Sequence, residues 1–173
     1  MSNKTFSMKT QLAKGKKAEK DFMSRYGEGC FERTDGRKGD FRIKWSQAKV
    51  ELKSDFYADT PNLFMERWSV APTDTKPGKS GGPWQSLENG TKYYVYWLVE
   101  SDELFVFDVA DLVAGLEQVL PTLRAITVKN QGYNTIGYLL PKKIVLDKLK
   151  DMGYLGSDLA PFLYFSYGEN IQS

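Results

Sequence analysis

The sequence predicts an α/β domain built on a mixed β-sheet flanked by helices. Three observations predict it. Residues 39–53 hold two runs of alternating side chains joined by a short turn at Ser46-Gln47, the pattern of a β-hairpin. A helix-periodic stretch from Leu12 to Tyr26 comes before it. After it, Trp84 to Asn89 reads as one or two helical turns and Lys92 to Val99 as an aromatic-rich strand, central in the sheet.

Taken in order, residues 1–10 are polar and expected to fray. In the first helix Leu12, Phe22, Met23 and Tyr26 form the apolar stripe, with Lys14, Lys16, Lys17, Lys20 and Asp21 covering much of the rest. Glu19 interrupts the stripe: it precedes Phe22 and Met23 by three and four residues and so faces the core. A carboxylate placed there needs a partner, because an unpaired buried charge is costly. One reading pairs it with a neighbouring lysine at the stripe's edge; the other sends it into a site.

Gly27 and Gly29 close the helix, Cys30 to Thr34 reads as a short strand, and Asp35 to Gly39 as a turn exposing Arg37 and Lys38. In the hairpin, Phe41, Ile43 and Trp45 share one parity and Asp40, Arg42 and Lys44 the other, while Val50 and Leu52 oppose Lys49, Glu51 and Lys53. One face is apolar. The other gathers Asp40, Glu51 and Lys53, two carboxylates and an ammonium that can share a site or make ordinary cross-strand ion pairs.

Asn62 to Ser69 reads as a further strand of the same sheet, with Phe64, Glu66 and Trp68 on one face and Leu63, Met65 and Arg67 on the other. Residues 71–83 form a loop rich in glycine and proline that carries Lys76 and Lys79 and does not match the phosphate-loop motif. Lys92 to Val99 and Leu104 to Phe107 make a second hairpin. Asp108 reads as the N-cap of a helix from Val109 to Leu120, which Pro121 ends. Residues 122–140 carry β-leaning pieces at Ala125 to Val128 and Ile136 to Leu140. Pro141 opens a helix through Lys150, capped near Gly153, before an aromatic tail from Tyr154.

Composition narrows the chemistry. At 173 residues, with 41% hydrophobic, 14% aromatic and 27% charged side chains, the chain is expected to be one soluble globular domain, residues 1–173. No run approaches the roughly 18 apolar residues of a membrane helix, and the start lacks the apolar core of a signal peptide. A cytoplasmic protein is expected, with no membrane partner. Cys30 is the lone cysteine and histidine is absent, which rules out an internal disulfide, a Ser-His-Asp triad and the usual zinc sites. Any metal should be hard and oxygen-bound: magnesium, manganese or calcium. Residues 1–53 hold 14 basic against 7 acidic residues, +7, and the remainder 10 against 15, −5. That positive field around the hairpin suits a polyanion, although a lysine-rich solvated tail has the same composition.

With Glu19 on the first helix, Gly39-Asp40-Phe41 opening a strand and Glu51-Leu52-Lys53 on the next, the sequence resembles the PD-(D/E)XK nuclease superfamily. The resemblance spans residues 12–107 and is closest to small phage, archaeal and resolvase-like members. It implies the restriction endonuclease-like fold, an αβββαβ core at about residues 12–107 with residues 108–173 as elaboration. It also implies a magnesium-dependent DNA endonuclease, with manganese able to substitute and no organic cofactor. Its site would be Glu19, Asp40, Glu51 and Lys53, with the Leu52 carbonyl as a further metal ligand. Glycine stands at 39 where the family often has proline.

The chemistry can be stated without the family. Phosphodiester hydrolysis needs an attacking water, a Lewis acid on the phosphate and stabilisation of the leaving oxygen. Asp40 and Glu51 would hold the metal, Lys53 would orient the water, and Glu19 would reach in from the helix. Glu66 and Gln85 lie at the margin. Lys16, Lys17, Arg37, Lys38, Lys76 and Lys79 would contact the DNA backbone. A phage-type junction resolvase, working as a homodimer in the host cytoplasm when phage-encoded, is one form of this reading. The alternatives are a sequence-specific restriction-type enzyme, a catalytically silent DNA-binding module of the same fold, and a protein-interaction scaffold using Tyr93 to Trp97.

Overall fold

The computed structural model describes residues 8–27, 29–34, 39–57 and 59–145. It is an α/β structure with a mixed sheet and flanking helices. Helix α1 spans Met8–Phe22 and continues as a wider turn over Met23–Gly27. Strands β1 (Phe31–Arg33), β2 (Phe41–Ile43), β3 (Lys49–Asp55), β6 (Tyr93–Leu98) and β7 (Glu103–Asp108) form one sheet in the order β1-β2-β3-β6-β7. β3 and β6 run parallel, and the other neighbours are antiparallel.

Alternation sorts the two faces of this sheet. Phe41, Ile43, Val50, Leu52, Val95, Trp97, Leu104 and Val106 pack against Ala18 and Phe22 of α1. The Asp102 carboxylate, in the β6–β7 turn, pins the end of that helix: it accepts the Tyr26 hydroxyl at 2.8 Å and the Trp97 indole N–H at 3.1 Å, and pairs with Arg25 at 2.6 Å. Tyr94, Tyr96, Leu98, Phe105 and Phe107 fill the opposite face. They meet helix α2 (Gly82–Glu88) through Trp84 and helix α3 (Val109–Val119) through Val109, Leu112, Val113 and Leu116.

The strand over Asn62–Val70, β4, forms as its alternation predicts, with Leu63 and Met65 fully buried, but in a second sheet. That sheet is ordered β5-β4-β9-β8, where β5 is Lys79–Ser80, β8 is Arg124–Asn130 and β9 is Tyr133–Pro141. β4 lies antiparallel to β9 from Asn62 opposite Pro141 to Trp68 opposite Ile136. A period of two identifies a strand but not its partner, and this partner comes some seventy residues later. Tyr96 joins the sheets: its hydroxyl donates to Asp55 Oδ2 at 2.5 Å and accepts the Phe64 N–H at 3.0 Å.

The second hairpin forms as expected, and Asp108 caps α3 by accepting the Ala110 and Asp111 amides at 3.0 and 3.3 Å. The β-leaning pieces of residues 122–140 become the β8–β9 hairpin. Three residues also sit otherwise than expected. Leu12 is 61% exposed, because α1 meets the sheet through Ala18 and Phe22. Trp45 is 56% exposed, because β2 ends at Ile43 and the turn releases it from the apolar face. Pro141 is the last residue of β9, so the helix expected to open there starts one residue later and is described over 142–145. The rest of that helix, the cap near Gly153 and the tail lie outside the described residues, as do Arg37 and Lys38. Among the described residues no helix is long and apolar enough to cross a membrane. Cys30 is a free, half-buried thiol at the edge of the α1-side core.

Candidate active site

β3 displays Glu51, Lys53 and Asp55 on the face away from α1, because Val50 and Leu52 are committed to the core on the other. The in-register neighbours on β6 are Tyr94 beside Glu51, Tyr96 beside Lys53 and Leu98 beside Asp55. The floor of the site is thus a row of charged groups on β3 next to two buried tyrosines.

Asp40 enters from the start of β2. Gly39 adopts φ +99°, and a Cβ there would stand 3.2 Å from the Val50 carbonyl oxygen. Proline, fixed near −65°, cannot take that conformation, so glycine at 39 is a requirement of this approach. Asp40 N–H then donates to Val50 O at 3.0 Å, and the Asp40 carboxylate Oδ2 accepts the Leu52 N–H at 2.9 Å. The acid is bound to the strand that carries Glu51.

Electrostatics set this pair apart. Burial pushes the Asp40 carboxyl up to about 6; the Leu52 amide opposes this, Glu19 adds to it, and Arg33 offsets it. Burial also lifts Glu51, to about 8, with the charges of Asp40 and Glu19 raising it further and Lys53 pulling it down. Both carboxyls are desolvated, Asp40 raises the proton affinity of Glu51, Glu19 raises that of both, and Arg33 and Lys53 are the positive charges that oppose them. Glu19 itself pairs with Arg33 of β1. It therefore takes a strand arginine as its partner, not a neighbouring lysine, while remaining within electrostatic reach of both acids.

The structure thus brings Asp40, Glu51 and Lys53 together, with Glu19 at the side and the Leu52 backbone between the two β3 residues. Glu66 approaches from β4. Its carboxylate lies where a Cβ on Gly81 would stand, and a Cβ on Gly82 would come within 2.9 Å of the Glu66 carbonyl and 3.4 Å of the Tyr94 hydroxyl. Burial, then the charges of Glu51, Tyr96, Glu66 and Asp40, push the Tyr94 phenol well above its ordinary range. Glu66 and the acid pair therefore act on one buried hydroxyl. Gln85 is exposed on α2 and is not drawn in.

The expected basic residues divide. Lys16 and Lys17 are exposed on α1, with Lys17 3.7 Å from Asp21, on one side of the first sheet. Lys76 and Lys79 line a cleft at the second sheet, beyond the other face. Tyr94, Tyr96, Asp55 and Arg33 also border the site, and no pattern in the sequence marks the tyrosines or Arg33 for it. Asp55 was within reach of the alternation argument, since it shares the parity of Glu51 and Lys53. The tyrosines looked like core aromatics, and only the β3–β6 register reveals which face their hydroxyls share.

Among the described residues no three acidic or cysteine side chains stand close enough together to hold a metal ion. A magnesium-like ion nonetheless suits the acid pair, because such ions keep several waters and are bound by one or two carboxylates. Two buried, mutually repelling carboxyls are the donor chemistry that a hard dication relieves. Comparison with protein-family models, with characterised proteins and with solved structures finds no match to this chain.

Proposed function

We propose that this protein is a divalent-metal-dependent DNA endonuclease with a restriction endonuclease-like core. The observation that carries the reading is the buried Asp40–Glu51 pair with Lys53 two residues along the same strand face. The element order supports it: α1, β1, β2, β3, then α2 and β6 follow the αβββαβ succession, with β4 and β5 inserted before α2.

Asp40 and Glu51 would hold the ion, with the Leu52 carbonyl as a further ligand. When bound, a divalent ion neutralises charge on the scissile phosphate and polarises it. The Lys53 Nζ donates hydrogen bonds to the attacking water or to a phosphate oxygen as charge builds there. The water oxygen forms the new bond to phosphorus, the bond to the leaving oxygen breaks, and the water's proton ends on that leaving group. Glu19, steadied by Arg33, adds negative charge beside the pair and strengthens its demand for a cation.

The test is cleavage of plasmid and of branched DNA with magnesium by the parent, Lys53→Ala and Asp40→Asn. The reading expects the parent to cut and each variant to lose on the order of 10²-fold or more. Equal cutting by all three contradicts it. Preference for four-way junctions over duplex identifies a resolvase; discrete bands from duplex identify a restriction-type enzyme.

A further inference from the structure

The loop at residues 71–79 does not wander over the surface. Ala71 N–H donates to Asn134 O at 2.7 Å, Thr73 and Lys76 exchange backbone hydrogen bonds, and Gly78 lies so close to the Trp68 ring and Pro72 that a Cβ would collide with both. On the facing side, the β8–β9 turn is fixed by Asn130 Nδ2 donating to Thr135 Oγ1 at 3.0 Å and by the Thr135 hydroxyl donating to Ser69 O at 2.9 Å. Between them is a cleft of about 580 Å³ lined by Lys76, Lys79, Asn130, Tyr133 and Asn134, among others. That volume lies in the range of small-ligand pockets, roughly 300–1,000 Å³.

Its chemistry is specific. Lys76 and Lys79 are exposed and, among the described residues, make no ion pair. Asp74, the one acid of the loop, does not line the cleft. Tyr133 lines the cleft and is 37% exposed, an aromatic residue at hand for stacking. Cations for a phosphate, an aromatic face for a base and amides for base edges are the parts of a single-strand site. The cleft begins at Val70, four residues along β4 from Glu66, a separation of roughly 13 Å.

We propose that this cleft binds an unpaired nucleotide of single-stranded DNA, its base on Tyr133 and its phosphate between Lys76 and Lys79. It rests on the nuclease reading for one point only, that this strand is continuous with the strand cut at Asp40 and Glu51. The substrate class is then DNA with a single-stranded segment next to the cleavage point.

The experiment is fluorescence anisotropy of a short labelled oligothymidine and of a matched duplex, with the full chain in EDTA across a salt series. Tyr133→Ala is expected to weaken oligothymidine binding by roughly 5- to 100-fold, Tyr133→Phe to restore it, and duplex binding to change little. Lys76→Ala and Lys79→Ala should each flatten the salt dependence by about 0.7 in log–log slope. No binding of oligothymidine by the parent, or Tyr133→Ala binding as tightly as the parent, overturns the proposal. Binding and cutting by the parent separate the two readings. If the parent binds oligothymidine, Tyr133→Ala does not, and the parent fails to cut, the cleft stands and the nuclease reading falls. If the parent cuts and Tyr133→Ala binds unchanged, the reverse holds.

Discussion

The Leu52 amide donates to Asp40 Oδ2 at 2.9 Å, so the backbone of the strand carrying Glu51 and Lys53 also fixes the acid that opposes them. A carboxylate held by an N–H cannot swing away from its repelling neighbour. The pair stays close at a cost to the metal-free fold.

Asp40→Asn keeps an oxygen for the Leu52 amide and removes one of the two like charges. The metal-free variant should therefore melt higher than the parent at pH 8 while losing its cleavage activity. Thermal unfolding in EDTA beside a cleavage assay checks both. A lower melting temperature would contradict the cost of burying the Asp40 charge beside other acids.

Stability of the metal-free protein should fall as pH rises from about 4 to 8. The folded state holds its protons to about 6 on Asp40 and about 8 on Glu51, above the ordinary carboxyl values of about 4. Across that window the folded state binds more protons than the unfolded one, so the slope of unfolding free energy with pH is negative. Magnesium should flatten the slope by replacing the protons. Melting temperature against pH, with EDTA and with magnesium, reads this directly, and an upward slope in EDTA would contradict it.

Gly81→Ala should displace the Glu66 side chain and destabilise the protein modestly, by about 1 kcal/mol, because the atoms in the way belong to a side chain that can move rather than to backbone. The clash is with the Glu66 carboxylate, so Glu66→Ala should recover much of the loss. A double-mutant cycle by denaturant unfolding measures it. Additive effects would show that the two residues do not meet.

Tyr96→Phe removes the hydroxyl shared by Asp55 and the Phe64 amide. Leaving that amide unpaired should cost about 1–3 kcal/mol. Hydrogen exchange should quicken at Phe64, where the second sheet meets the first, with little change in β7. Unchanged exchange at Phe64 would contradict the bridge.

How much of this was legible in the sequence depended on range. The hairpin of Asp40 and Glu51, the β6–β7 pair and the Asp108 cap are local, and alternation or a capping residue declares each of them. β4 was legible as a strand but not as part of a second sheet, because pairing with β9 is settled by packing between distant segments. Trp45 and Leu12 kept the right parity but sit where their element has left the core. Arg33 as the partner of Glu19 depends on how α1 crosses β1, which periodicity does not encode.

The most direct test of the central claim is an anomalous-scattering map from a crystal of the protein grown with manganese. The account predicts a strong peak between the Asp40 and Glu51 carboxylates. No peak there, at a manganese concentration that supports DNA cleavage, would contradict it.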